Sequence, residues 1–218
     1  MIKRENFDLE NLPNMPVEAA DFNALDSLES NPLPILYQSG YLTIAHCDDI
    51  GAYYLRFPNE EVERGFLRHL LPVQAAKGRD LSNSLILRMV GHLRQGRAED
   101  FMGELQALLA DIPYEKSRAG EIYFRNLLFT IFRLLGFYCE VEHPMAGGRS
   151  DMVIKTEAYI YVVELKVDQS AEAALQQIEA KGYAAPYAAD KRQLFKIGVN
   201  FSGKEKRINE WRVVGVNL

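Results

Sequence analysis

Two carboxylates and an ammonium close together in the chain are the groups best able to do chemistry. In GGRSDMVIKTEAYIYVVELKV, residues 147–167, Asp151 opens one apolar run, and Glu164 and Lys166 close the next. Side chains alternate between the two faces of a strand. With Thr156-Glu157 as a two-residue hairpin turn, residue 155 pairs with 158 and 151 with 162. Asp151 then shares a face with Val162, Glu164 and Lys166. Asp151 and Glu164 become diagonal cross-strand neighbours with backbones about 7 to 8 Å apart, near enough for both carboxylates to hold one divalent cation. A three-residue turn would reverse the parity and part them.

Oxygen donors of this kind suit Mg²⁺ or Mn²⁺, hard cations that retain waters. One such water can serve as nucleophile in phosphodiester hydrolysis, and Lys166 can orient it or meet charge developing on the phosphate. Three ionisable groups on an otherwise apolar sheet face are costly without such a use. The same spacing also fits a plain Glu164–Lys166 salt bridge with an exposed Asp151, and the residues alone leave both readings open.

The elements that must position these groups can be read from periodicity. Residues 1–16 show no sustained pattern and read as an arm or the torn edge of something larger. A short helix is expected from about Val17 to Leu28, and NPLP at 31–34 breaks the chain. Residues 41–44 and 52–57, separated by CDDIG, read as a β-hairpin. EEVERGFLRHLL follows as a helix with Asn59 as N-cap and glutamates in the first turn. A second helical stretch is expected from Leu81 to Leu109, broken near Gly96. A third runs from Ser117 to Leu135, where Phe124, Leu127, Leu128, Ile131, Leu134 and Leu135 form one apolar stripe. Glu121 falls on that stripe rather than on the wet face, so its carboxylate either frays into solvent or points at something cationic. Beyond Gly136 the period switches to 2. Strands are expected at 137–142, 151–155, 158–167, 194–200 and 211–217, with a capped helix over 170–181.

Composition bounds the rest. The chain has 218 residues, 48% of them hydrophobic, and a formal charge of −5. That is long enough for one large domain or two small ones with a real core, and excludes disorder. Two cysteines, Cys47 and Cys139, suit a reducing cytoplasm rather than a disulfide scaffold. With His46 and His143 they have no convincing zinc spacing. No apolar run is long enough for a membrane helix and the start is no signal peptide, so a soluble cytoplasmic protein is expected. Residues 1–147 carry 14 Lys and Arg against 21 Asp and Glu, whereas 148–218 carry 11 against 9. Phosphate binding is therefore expected to be local and in the C-terminal third.

Asp151, followed by Glu164-Leu165-Lys166 at the end of the next strand, in the order helix, three strands, helix, strand, resembles the PD-(D/E)XK nuclease superfamily. More closely, residues from about 118 to 218 are similar to the nuclease-like domain found behind an AAA-ATPase-like domain in many bacterial proteins. GGRSDMVI, YIYVVELKVDQSAEAALQQIEAKGYAAPY and KIGVNFSGKEKRINEWRV carry that likeness. LYQSGYLTI and YYLRFPNEEVERGFL resemble the C-terminal end of the ATPase-like domain. The resemblance implies an α/β chain in two parts. Residues 1–110 would be the helical, β-hairpin (winged-helix-like) end of an AAA-ATPase-like region. Residues 111–218 would be a restriction-endonuclease-like mixed sheet with flanking helices.

The resemblance also implies roles. Asp151 and Glu164 would be metal ligands assisted by Glu121, Lys166 the catalytic lysine, Mg²⁺ or Mn²⁺ the cofactor and DNA the substrate. Related nucleases often carry a glutamine at the position of Gln177, on the helix after the ELK triplet; a helix-surface amide is the competing reading. Tyr183 is a weaker substrate-binding candidate, and Arg125 stands one turn from Glu121, in position to pair with it. An ATPase-like domain or subunit is the implied partner, and no membrane is. The rival reading is a catalytically inactive nuclease-like module that binds nucleic acid or protein and regulates an associated ATPase. No G-x-x-x-x-G-K-[ST] occurs, and SGKEK at 202–206 does not supply one, so the chain is not a P-loop ATPase.

Overall fold

The computed structural model describes residues 12–23, 32–75, 79–110, 121–142, 151–205 and 207–216, the side chains of 13, 23, 75, 79–83, 121–126 and 142 excepted. The chain divides into two compact units, Met1–Arg79 with Arg118–Ile131, and Asp80–Ser117 with Phe132–Leu218.

In the first unit, strand β1 (Pro16–Val17) pairs antiparallel with β3 (Tyr53–Arg56), which pairs with β2 (Thr43–Cys47). The hairpin closes over Asp48, whose Oδ1 accepts the Ile50 and Ala52 amides, with Gly51 at φ +86°. Helix α1 (Leu33–Gln38) precedes this hairpin and α2 (Glu60–Ala75) follows it. Asn59 caps α2 as expected, its Oδ1 accepting the Val62 amide at 2.9 Å. Over its described part, residues 17–23, the helix expected from about Val17 to Leu28 is not there, and residues 24–28 lie outside the described residues. Val17 is buried and pairs with Tyr53, and Ala19–Asn23 is a 3-10 turn, because pairing with a distant strand overrides a local helical pattern.

The second unit contains α3 (Arg79–Arg94) from its second residue onward and α4 (Ala98–Ala110). They are separated where expected, at Gly96. Its φ of +74° requires a glycine, and a Cβ there would stand 2.6 Å from the Tyr159 ring. Helix α5 (Glu121–Gly136) contributes its last five residues to this unit, with Leu134 and Leu135 buried.

Strands β4 (Glu140–Glu142), β5 (Met152–Lys155), β6 (Tyr159–Val167), β7 (Gln193–Ser202) and β8 (Arg207–Val216) form one mixed sheet in that order. Helix α6 (Ala171–Ala180) makes the crossover between parallel β6 and β7. One sheet face carries Tyr159, Tyr161 and Phe195, with the Tyr161 hydroxyl donating to the Leu93 carbonyl at 2.6 Å. The opposite face packs Val153, Ile160, Val162 and Leu194 against Leu175 and Ile178 of α6. Strand β8 starts four residues before the expected 211. Buried Ile208 continues the ladder opposite Phe201 between polar neighbours, Arg207 and Asn209, that hide it in the hydrophobicity pattern.

The β5–β6 hairpin turns one residue later than expected. Thr156 closes it, its hydroxyl accepting the Tyr159 amide at 3.0 Å and its own amide donating to the Tyr159 carbonyl at 2.8 Å, so the turn residues are Glu157 and Ala158. Moving a two-residue turn by one residue changes the register by two, so parity survives. Met152 pairs with Val163 and Val153 with Val162. Asp151 therefore stands directly opposite Glu164, one step beyond the Met152–Val163 pair, and not diagonal to it.

Candidate active site

At the mouth of the β5–β6 hairpin the two acids hold each other's strands. The Asp151 amide donates to Glu164 Oε2 at 3.2 Å, and Asp151 Oδ2 accepts the Leu165 amide at 2.7 Å. Glu164 is 2% exposed, Lys166 retains 19% of its side-chain exposure, and Asp151 is exposed. Lys166 Nζ donates to Glu164 Oε1 at 3.3 Å and, by a shorter bond, to Gln177 Oε1. Gln177 Nε2 completes the triangle by donating to the same Glu164 oxygen, and also reaches the Tyr183 hydroxyl at 3.4 Å. Asp151, Glu164, Lys166, Gln177 and Tyr183 thus come together. Gln177 is not the helix-surface amide that its position also permitted. The Glu121 and Arg125 side chains lie outside the described residues.

Burial, first, and the neighbouring Asp151 carboxylate push the Glu164 carboxyl above its ordinary range; the Lys166 ammonium and the Asp151 amide pull against them. A nearly inaccessible carboxylate beside a second one is stable only with compensating positive charge, and one lysine supplies part of it. The oxygen donors of Asp151 and Glu164 fit a hard divalent cation. Among the described residues, no group of three His, Cys, Asp or Glu side chains is placed to hold a metal. Two carboxylates suit Mg²⁺ or Mn²⁺, which keep several waters, better than an ion needing a full protein cage. The two cysteines form no disulfide, Cys47 being exposed and Cys139 buried.

The approach of α6 depends on Gly198, which pairs with Glu164 across β6–β7 and so faces the helix. A Cβ there would stand 2.2 Å from the Ala171 carbonyl oxygen and 2.9 Å from Leu175 Cγ. The helix start is tied down by Ser170 Oγ, which accepts the Ala173 amide at 3.0 Å, and by Arg212, which reaches Glu172 at 2.9 Å. Gly198→Ala is expected to lift α6, costing about 2 kcal/mol and drawing Gln177 away from Glu164 and Lys166. Thermal denaturation checks the first effect, as a fall in Tm of a few degrees. The sequence shows this glycine only as an interruption of an apolar strand, a signal of close backbone approach that the periodicity reading did not use.

A five-stranded mixed sheet flanked by helices, with acids on adjoining strands and a lysine two residues beyond the second, is the restriction-endonuclease-like class of α/β fold. Residues 119–211 match the family model of the PD-(D/E)XK nuclease superfamily. The chain is also 33% identical over 193 residues to an "Uncharacterized protein in vnfD 5'region" of Azotobacter chroococcum mcd 1. That match covers 80% of this chain and 36% of the relative, so the chain spans little more than a third of the relative's length. No solved structure matches the chain.

Proposed function

We propose that this chain is a divalent-metal-dependent nuclease that hydrolyses phosphodiester bonds of DNA. The observation that carries the reading is the direct opposition of Asp151 and Glu164, with Lys166 bonded to the buried acid. Asp151 and Glu164 hold Mg²⁺ or Mn²⁺, with Glu121 as a further acid. The ion, when bound, supplies Lewis acidity for the attacking water and neutralises phosphate charge. Lys166 offers the ammonium that meets negative charge growing on the phosphate, a role that needs a fixed donor. Gln177 fixes it, accepting from Lys166 with one end of its amide and donating to Glu164 with the other. Tyr183 borders the site and is the proposed substrate contact on that side.

Residues 1–110 are the end of an AAA-ATPase-like region and 111–218 the nuclease-like domain, acting in the cytoplasm alongside an ATPase-like domain or subunit. The long relative, of which this chain matches 36%, supports such a larger arrangement. No helix among the described residues is long and apolar enough to cross a membrane.

The test is incubation of the purified full-length chain with linear DNA and, in parallel, RNA in Mg²⁺, Mn²⁺ or EDTA. Cleavage of DNA in either metal and none in EDTA is the expected result. No cleavage in any condition, with no ion bound by calorimetry, would replace this reading with that of an inactive module regulating an ATPase.

A further inference from the structure

We propose that Asn200 is a substrate-binding residue whose side-chain amide donates to a phosphate oxygen of the nucleic-acid backbone beside Lys166; this rests on the nuclease reading above. Asn200 pairs with Lys166 in parallel register, so both side chains leave the sheet on one face from strands about 4.8 Å apart. At 8% exposure, Asn200 is one of the few buried polar residues of the sheet, and polar groups that deep need partners.

Half of the Asn200 amide has one. Oδ1 accepts the backbone N–H of Gln169, in the loop after β6, at 3.1 Å. Because that partner can only donate, it fixes which end of the amide is oxygen and turns the NH₂ the other way. The NH₂ has no protein partner among the described residues and is not one of the fully buried unpartnered atoms, so it opens to solvent, where a phosphate oxygen can reach it. Glu210, directly across on β8, is engaged elsewhere: Oε2 accepts the Ala171 amide at 3.3 Å, and Oε1 lies 3.6 Å from Arg212 Nε. The β7–β8 register slips between Asn200 and Phe201, a bulge of the kind that re-aims side chains next to active sites. Ligands of parallel βαβ units gather outside the carboxyl ends of the strands, where Lys166 and Asn200 both stand.

Anionic oxygen is the chemistry such a donor fits. A neutral amide adds a hydrogen bond to phosphate without placing a second positive charge against Lys166, and contacts of this type set the position of the backbone without reading sequence.

Two variants test this in the full-length protein. Asn200→Asp keeps an oxygen for the Gln169 amide and replaces the donor by an anion, whereas Asn200→Ala removes both. With a fluorescein-labelled DNA oligonucleotide in Mg²⁺, Asn200→Asp is expected to raise KM by at least about tenfold, more than Asn200→Ala, with Tm close to wild type. An unchanged KM in Asn200→Asp while wild type cleaves the DNA overturns this proposal alone. Loss of activity in both variants only in proportion to loss of folded protein overturns it too. A wild-type protein that cleaves the oligonucleotide in neither Mg²⁺ nor Mn²⁺ overturns the nuclease reading, and this proposal with it.

Discussion

Lys166→Met is expected to lower DNA cleavage by about two to three orders of magnitude while leaving the chain folded, the usual cost of removing a preorganised donor at a developing charge. The same change has a second signature, because Lys166 is one of the groups holding down the Glu164 carboxyl. Without the ammonium, Glu164 keeps the Gln177 and Asp151 donors but rises further above the ordinary carboxylate range. The sign of the consequence follows from linkage. A carboxyl that holds its proton more tightly in the fold than in the unfolded chain makes stability fall as pH rises, from the ordinary carboxylate value up to the raised folded one. In EDTA, Lys166→Met should therefore be destabilised more at pH 8 than at pH 5. At pH 8 the loss is expected at about 2 kcal/mol, below that of a fully buried pair because Lys166 is partly exposed. Urea denaturation at the two pH values checks this. Equal losses at both would sever the electrostatic link, and wild-type cleavage by the variant would remove lysine from the mechanism.

Asp151→Asn should abolish cleavage more completely, by about three orders of magnitude or roughly 4 kcal/mol of transition-state stabilisation, through loss of one of the proposed metal ligands. An asparagine oxygen can still accept the Leu165 amide, so the hairpin should hold. The pH signature is opposite to that of Lys166→Met. Asp151 is the second cause, after burial, of the raised Glu164 carboxyl, so removing its charge lets Glu164 ionise nearer the ordinary range. In EDTA, the decline of stability with rising pH should become shallower than in wild type. Titration calorimetry with Mn²⁺, run beside the denaturation series, separates the two effects. Undiminished Mn²⁺ affinity in Asp151→Asn would show that the ion sits elsewhere.

Why the site could be read from sequence, and where it could not, comes down to parity and helix placement. The face shared by Asp151, Glu164 and Lys166 followed from the period of 2, and it survived a turn that fell at Glu157-Ala158 because the turn kept two residues. The direct opposition of the acids was not legible, since Thr156 can either enter the turn or close it, and only its paired bonds to Tyr159 decide. Gln177 was ambiguous for another reason. Which side of α6 meets the sheet depends on Gly198 and on Arg212 reaching Glu172, contacts between residues distant in the chain. The break at Gly96 and the Asn59 cap were local and readable. The Val17 strand was not, because its partner Tyr53 lies more than thirty residues away.

Net charge is a poor guide to this chain, and its distribution a better one. The proposed site gathers two acids and one lysine in the C-terminal region, where the overall balance is slightly basic. Bound cation would offset the local acidity and favour the approach of phosphate.

Crystals of the full-length protein soaked in Mn²⁺ test the central claim most directly. An anomalous peak bounded by carboxylate oxygens of Asp151 and Glu164, absent from Asp151→Asn crystals soaked alike, is the expected result. A chain that cleaves DNA while its Mn²⁺ peak lies away from both carboxylates, or shows none between them, would contradict it.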